Sequence, residues 1–349
     1  MVITTKKRMK IAQISKPWGE VPPLKYGGVE RIVWFLTTEL NKEYDVTLFA
    51  PGKSCKEDKF KRLSLFLEPQ ADKGLDRNAE LAQGLHAILY HLNKFKFDVL
   101  HAHSVDPILA VASVGKLPLI FTFHSVPSLP SKLLSDMSQD SVKFVFVSRA
   151  HRESYPWIKK ADVVYNGLPI KNYPFSKEKK DYLAFVGPIR PEKGIVEAIE
   201  VATKSKTKIL IAGRIRPEIK DYFEKEIEPR IKNNRYIQFL GEITESERNE
   251  MLKYAKAFLF PINWIEPFST SLLESLVVGT PVIAFNKGSV PEVIEHGKNG
   301  LIVETVTEMV KAVKEIYLIK PENCRKTIEE KFNSQRMTAD YLKLYKKYF

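Results

Sequence analysis

Short apolar runs alternate with longer amphipathic ones along most of the 349 residues. Apolar runs of this kind suit strands buried on both faces, and the amphipathic stretches between them suit helices that cover a parallel sheet. In the first half the pattern predicts strands at Lys10–Ser15, Asp45–Ala50, Asp98–His103, Leu119–His124, Phe144–Ser148 and Asp162–Tyr165. Helices are expected at Val29–Leu40 and Ala79–Lys94. The series breaks at Asn166-Gly167-Leu168-Pro169 and Lys171-Asn172-Tyr173-Pro174, where glycine and proline mark a turn and linker. A second series runs through Asp181–Gly187, Lys208–Gly213, Ile237–Gly241, Ala257–Pro261, Pro281–Phe285 and Leu301–Val303. Thr244 and Glu247 have capping-box spacing, and three amphipathic helical stretches close the chain, the last at about Ser334–Tyr348. The expected fold is α/β, with two Rossmann-like doubly wound domains, 1–168 and 175–333, facing a central cleft. Ligands then belong at the carboxyl ends of the strands.

Composition narrows the function classes. A hydrophobic fraction of 44% excludes wholesale disorder. Cys55 and Cys324 are the only cysteines, too few and too far apart for a disulfide framework or a Cys-x-x-Cys motif. No apolar run approaches the roughly 18 residues that span a bilayer, and Lys10–Ser15 is too short for a signal peptide. A cytoplasmic protein is expected. The net charge of +13 favours anionic partners, or merely keeps a lysine-rich surface soluble. Lys53–Arg62 carries five basic and two acidic residues, and the tail from Lys311 ten and five. Neither interleaves exposed aromatics in the manner of a nucleic-acid platform, so no nucleic-acid partner is expected. The first stretch suits peripheral contact with an anionic membrane face.

Four constellations carry candidate chemistry. Lys25-Tyr26-Gly27-Gly28-Val29-Glu30 follows the first strand and opens the first helix. Its glycines let backbone amides approach a phosphate at a helix N-terminus, although an ordinary strand-to-helix turn has the same composition. It is neither a Gly-x-Gly-x-x-Gly fingerprint nor a Walker loop. Gly187-Pro188-Ile189-Arg190-Pro191-Glu192-Lys193-Gly194 repeats the arrangement in the second half, with Arg190 and Lys193 able to face a diphosphate or to form a solvated turn. In Glu266-Pro267-Phe268-Ser269-Thr270-Ser271-Leu272-Leu273-Glu274, Ser269 is placed as an N-cap. The amides of Phe268, Ser269 and Thr270 then lie at the positive end of the helix dipole. Glu266 and Glu274 can meet hydroxyls on either side, or Glu274 can pair with a neighbouring helix. Finally, His124 ends a strand at the expected cleft, while His101 and His103 suit core hydrogen bonding better. No further ligands stand at zinc spacing.

Together these residues resemble the retaining glycosyltransferases of family 4, with the GT-B fold. The specific stretch is Glu266–Val303: Glu-x7-Glu, then Gly279-Thr280-Pro281-Val282-Ile283-Ala284, Gly288-Ser289-Val290-Pro291-Glu292-Val293-Ile294 and Gly297-Lys298-Asn299-Gly300-Leu301-Ile302-Val303. Pro22-Pro23 to Glu30, Thr122-Phe123-His124, Asn166-Gly167 and Glu192-Lys193-Gly194 also look like the family. The resemblance implies a hexose transferred from a nucleotide-diphosphate sugar, UDP-hexose first and GDP-mannose next, to a glycan or lipid-linked acceptor, without a metal or other cofactor. It gives Gly27 and Gly28 to the donor diphosphate, Lys193 to the leaving phosphate and Glu274 to the ribose. Glu266, His124 and the amides of Phe268, Ser269 and Thr270 go to the donor sugar, and Asn166 joins the donor site. The strand ending at Gly241 lies near the base, and the final helix, 334–349, crosses back onto the N-terminal domain. Two departures stand out. Pro188 occupies the position of the family's phosphate-binding arginine, so Arg190 or Arg214 would have to replace it. Ser269 stands where the family often has glycine.

The competing readings fit less of the pattern. A glycosidase uses two carboxylates but needs no phosphate-facing helix starts. A sugar-nucleotide epimerase of the same fold needs acid–base groups for proton transfer. A non-catalytic basic nucleotide- or nucleic-acid-binding protein would bind with steep salt dependence.

Overall fold

The computed structural model describes residues 8–25, 27–53, 58–70, 76–127, 129–137 and 142–349. Strands β1 (Lys10–Ile14), β2 (Asp45–Phe49), β3 (Lys61–Leu63), β4 (Val99–His103), β5 (Leu119–Phe123), β6 (Val142–Phe146) and β7 (Ala161–Val163) form one parallel sheet in the order β3-β2-β1-β4-β5-β6-β7. Helices α1 (Gly28–Leu40), α2 (Asp76–Asn93), α3 (Ile108–Val114), α4 (Ser131–Asp136) and α5 (Arg149–Glu153) connect them. The second half contributes β8 (Lys180–Val186), β9 (Lys208–Ala212), β10 (Ile237–Gly241), β11 (Ala255–Phe260), β12 (Val282–Phe285) and β13 (Gly300–Val303), in the order β10-β9-β8-β11-β12-β13. Its helices are α6 (Ile195–Ser205), α7 (Lys220–Tyr222), α8 (Glu228–Ile231), α9 (Glu245–Tyr254), α10 (Thr270–Val277), α11 (Val290–Val293), α12 (Val306–Glu315) and α13 (Pro321–Lys331), and α14 (Ser334–Tyr348) ends the chain.

The period-two alternation of a strand distributes the core of the first sheet. Ile11, Val99, Ile120 and Val145 pack with residues of α1 and α14, while Ala12, Leu100, Phe121 and Phe144 pack with those of α2 and α3. Strand β3 was hidden in the sequence by its charge: Lys61, Arg62 and Leu63 pair with Thr47, Leu48 and Phe49. It is an edge strand, where charged side chains are tolerated and block further pairing.

Strand order reverses between β1 and β4 and again between β8 and β11, and such switch points open crevices at the carboxyl ends of the strands. The linker and the return of the chain before α14 both tie the two halves together. Leu168 in the linker pairs with Asn333 just before α14. Arg336 donates to the carbonyls of Tyr165 (2.8 Å) and Asn166 (2.9 Å), and Arg325 donates to those of Ile170, Tyr173 and Val277. Helix α14 thereby returns to the first sheet, with Tyr341 and Tyr345 fully buried. Among the described residues, no helix is long and apolar enough to cross a membrane.

Candidate active site

A cavity of about 770 Å³ lies between the facing crevices. Its walls carry eight cationic side chains and five carboxylates, an excess that suits an anionic ligand. Two helices begin there, one from each half. The N-cap positions of α1 and α10 are Gly27 and Ser269, and neither supplies a side-chain hydrogen bond to the helix. Ser269 is therefore at the expected position without the expected capping contact, because its hydroxyl pairs with that of Ser271 at 2.8 Å. The first-turn amides of both helices therefore have no N-cap side chain on them, although the Glu30 carboxylate meets its own backbone amide in the first turn of α1. The starts are also close together: a Cβ on Gly28 would stand 3.1 Å from Thr270 Oγ1.

On the C-terminal side, Lys193 Nζ is hydrogen-bonded to Glu266 Oε2, which also accepts from Trp264 Nε1 at 2.9 Å. The Lys193 ammonium lies 4.9 Å from the centre of the Trp264 ring. Lys193 is placed by the next residue. Gly194 has φ 74°, and a Cβ there would approach the Pro261 carbonyl oxygen to 1.8 Å, so only glycine lets this loop close on the end of β11. Glu274 is 2% exposed and lies between two guanidiniums, Arg248 Nη2 at 3.1 Å and Arg31 Nη1 at 3.6 Å from its Oε1. The pairing with a neighbouring helix foreseen for Glu274 is thus real, yet Glu274 also lines the cavity. Its Oε1 meets the two cations without hydrogen-bond geometry and keeps lone pairs for a hydroxyl. Arg31 comes from α1 in the other half and also meets Glu245 Oε2 at 3.0 Å. Burial opposes its charge, but Glu274 and Glu245 outweigh that and raise its pKa.

On the N-terminal side His124 lines the cavity, and its Nε2 is 3.0 Å from Nδ1 of the buried His103. Burial, reinforced by His151 and Lys16, pushes the His124 pKa down to about 3, so the ring is neutral at ordinary pH. Beside it, the Trp18 indole donates to Glu80 Oε1 at 2.6 Å, and Lys16 pairs with the same oxygen at 3.1 Å.

Most of the residues singled out in the sequence converge here: Gly27, Gly28, His124, Asn166, Arg190, Lys193, Glu266, Phe268, Ser269, Thr270 and Glu274 all line the cavity. Asn166 is buried with its Oδ1 unpartnered. Gly241 is the exception. It turns the chain with φ 70°, and the two residues after it, Glu242 and Ile243, line the cavity in its place. Of the two arginines considered for the Pro188 vacancy, Arg190 is 55% exposed and paired with Glu192 at 2.8 Å, whereas Arg214 is half-buried at the end of β9. Both line the cavity. Tyr26 and residues 54–57 of the basic stretch lie outside the described residues. Within that stretch Arg62 is buried against Asp58 and Lys61 bonds Tyr90, so both are occupied within the fold. Sequence reasoning gave no individual role to Glu30, which it quoted only as the end of a motif, or to Arg31, Trp18 and Arg248. Glu30 closes the glycine motif and Arg31 follows it, but the carboxylates that Arg31 meets, Glu245 and Glu274, are remote in sequence. Trp18 and Arg248 reach the cavity only through the tertiary fold. Burial raises the pKa of Glu30. Among the described residues no three His, Cys, Asp or Glu side chains are grouped to hold a metal ion.

Residues 26–172 match the model of Glycosyltransferase Family 4, and residues 170–333 that of Glycosyl transferases group 1. The chain is 24% identical, over 89% of its length and 86% of the relative's, to N-acetyl-alpha-D-glucosaminyl L-malate synthase of Bacillus anthracis. Sucrose-phosphate synthase from Thermosynechococcus elongatus superposes with a TM-score of 0.79 at 16% identity, covering 97% of this chain and 99% of that one. HepE of Anabaena, solved with UDP and glucose, superposes with a TM-score of 0.75 at 16% identity, covering 97% and 100%. Two family models in the right order, two switch-point crevices and one shared cavity give the same answer: the chain belongs to the family 4 glycosyltransferases of GT-B fold.

Proposed function

We propose that this glycosyltransferase moves a hexose from a nucleotide-diphosphate sugar to a glycan acceptor with retention of anomeric configuration, and needs no metal ion. The observation that carries the reading is the pair of helix starts, α1 and α10, meeting in one cationic cavity without capping side chains. Amides at a helix N-terminus bind phosphate oxygens. A glycosidase has no use for two such phosphate-facing starts.

The roles follow from charge. A nucleoside diphosphate leaves with about two negative charges, and fixed donors aimed at that charge lower the barrier most. Lys193 and the amides that open α1 at Gly27 and Gly28 take the diphosphate, the α10 amides meet phosphate or sugar oxygens beside it, and Arg214 stands in for the arginine that Pro188 displaces. The unfilled lone pairs of Glu274 Oε1 accept from ribose hydroxyls, with Arg31 and Arg248 holding the carboxylate in place. Glu266 and His124 flank the hexose. Lys193 then exchanges part of its bond to Glu266 for the diphosphate, which couples donor binding to release of the sugar-side carboxylate. UDP-hexose is the first choice of donor, because HepE is seen with UDP and glucose, and GDP-mannose is its rival. The net charge of +13 favours an acceptor linked to a lipid phosphate. Incubating the protein with UDP-glucose, UDP-N-acetylglucosamine and GDP-mannose in EDTA, and following slow donor hydrolysis by NMR, tests the reading. Release of the α-anomer from one donor supports it. Dependence on an added divalent ion, or release of the β-anomer first, overturns the metal-independent or the retaining part.

A further inference from the structure

Behind His124 lies a buried polar network that the proposed chemistry does not explain. The face of the first sheet turned toward α1 and α14 is apolar at Ile11, Val99 and Ile120, but toward the carboxyl ends of three adjacent strands it carries Gln13, His101, His103 and Thr122. All four are 0% exposed. The sheet register sets Gln13 beside His101 and His103 beside Thr122. Buried polar groups persist only when satisfied, and each of these is. His103 Nε2 is 2.7 Å from Gln13 Oε1, and Gln13 Nε2 donates to Tyr345 Oη at 3.2 Å. Tyr345 Oη is 2.7 Å from His101 Nδ1, His101 Nε2 is 2.8 Å from Thr122 Oγ1, and Thr122 Oγ1 is 3.0 Å from Tyr341 Oη. The near end is the 3.0 Å bond from His103 Nδ1 to His124 Nε2.

The network has a direction, and the Gln13 amide sets it. Gln13 Oε1 can only accept, so His103 carries its proton on Nε2. A neutral His103 then offers a lone pair at Nδ1, and His124 must donate to it from Nε2. On the other branch Gln13 Nε2 donates to Tyr345, which passes its own proton to His101 Nδ1, and His101 donates from Nε2 to Thr122. Every site is filled with all three rings neutral. Burial lowers the pKa of His101 and His103 well below the usual value, which agrees with that assignment. Turning the Gln13 amide over would reverse every donor along the chain.

We propose that Gln13 and His103 are positioning residues that lock His124 as the Nε2–H tautomer, so that its Nδ1 presents a fixed lone pair to a hydroxyl of the donor sugar, and that Tyr345 of the returning helix anchors the lock. The sugar contact rests on the transferase reading above; the lock itself rests on the network alone. The consequence for catalysis is electrostatic. As the nucleoside diphosphate departs, positive charge grows on the sugar ring. A neutral acceptor ring tolerates that charge, whereas an imidazolium would oppose it. Lys16, a cation near His124, also discourages its protonation.

The test is a long-range 1H–15N spectrum of the full chain labelled in histidine, recorded without donor between pH 5 and 8 and assigned with His124→Asn. The expected result is a neutral His124 with its proton on Nε2 throughout. A proton on Nδ1, or titration near the ordinary histidine pKa, overturns the proposal. Gln13→Met and His103→Phe should each replace the single tautomer with a mixture and lower kcat about 10- to 100-fold through loss of orientation, while the thermal shift given by UDP is kept. His103→Asn, which leaves an acceptor near the Nδ1 position, should recover part of the loss. If His124 keeps a pure Nε2–H tautomer in both Gln13→Met and His103→Phe, the network does not set it and the proposal fails. Because the spectrum needs no turnover, failure of the transferase reading would leave this result standing.

Discussion

The two halves of the cleft share an architecture but hold their functional groups in opposite ways. The C-terminal wall holds them by charge: Lys193 sits on Glu266, and Glu274 sits between Arg31 and Arg248. The N-terminal wall holds His124 by a relay of neutral groups that ends on Tyr345 and Tyr341 of α14. Ion pairs can exchange partners when a diphosphate arrives. A neutral, fully satisfied network cannot, and it keeps one geometry. The division suits a transferase that must grip and release an anion on one side while orienting an uncharged sugar on the other.

The largest test of this contrast is Glu274→Ala. It leaves Arg248 and Arg31 buried without their shared carboxylate, and breaking a buried pair from one side costs about 3–5 kcal/mol. A urea titration should show that loss, and UDP should no longer raise the melting temperature. A fully stable variant would mean that the two arginines find other partners. Lys193→Ala comes next. Removing a preorganised donor to a developing anion costs about 10²–10³ in kcat, to be read in donor hydrolysis or transfer. A change confined to KM would place Lys193 in ground-state binding only.

The neutral wall predicts a pH effect of opposite character. Burial holds the folded-state pKa of His124 at about 3 and that of His151 at about 4, both below the unfolded value of about 6.5. Above about pH 6.5 neither state protonates these rings and their contribution is complete. As pH falls from there toward 4 the unfolded chain takes up protons that the native state refuses, so stability declines. The urea midpoint should fall between pH 7 and pH 5, and less so in His151→Phe. The smallest effect should belong to Arg190→Ala. Its side chain is 55% exposed and already paired with Glu192, so turnover should change less than about threefold, in keeping with the small worth of exposed ion pairs. A 100-fold loss would make Arg190, rather than Arg214, the replacement for the arginine missing at Pro188.

The same contrast explains what the sequence disclosed. The C-terminal wall is built from contiguous loops, Gly187–Gly194 and Glu266–Glu274, whose spacing survives in one dimension, so Lys193, Glu266 and Glu274 were found there. Their partners Arg31 and Arg248 lie far off in sequence and were not. Both sheets were legible from the alternation of apolar and amphipathic runs, except β3, where Lys61 and Arg62 concealed an edge strand. The span of helix α14 and its crossing back were expected, but not the roles of Tyr341 and Tyr345, which complete a network whose other members are more than 200 residues away. His101 and His103 were rightly read as core histidines, yet nothing local could show that His103 holds His124. Gly241 was named because it ends a strand, but the lining passes to the next two residues once the chain turns.

The central claim is that the cavity between the two sheets binds a nucleotide diphosphate through protein groups alone. Thermal unfolding with UDP and UDP-glucose, and in parallel with GDP and GDP-mannose, all in EDTA, tests it most directly. At a hundredfold excess over Kd a ligand of the native state adds about 2.7 kcal/mol to stability. Such a shift is expected with one nucleotide base, and its loss in Glu274→Ala. No shift with any of them would contradict it and would mean that the chain keeps the fold of its family without the donor site.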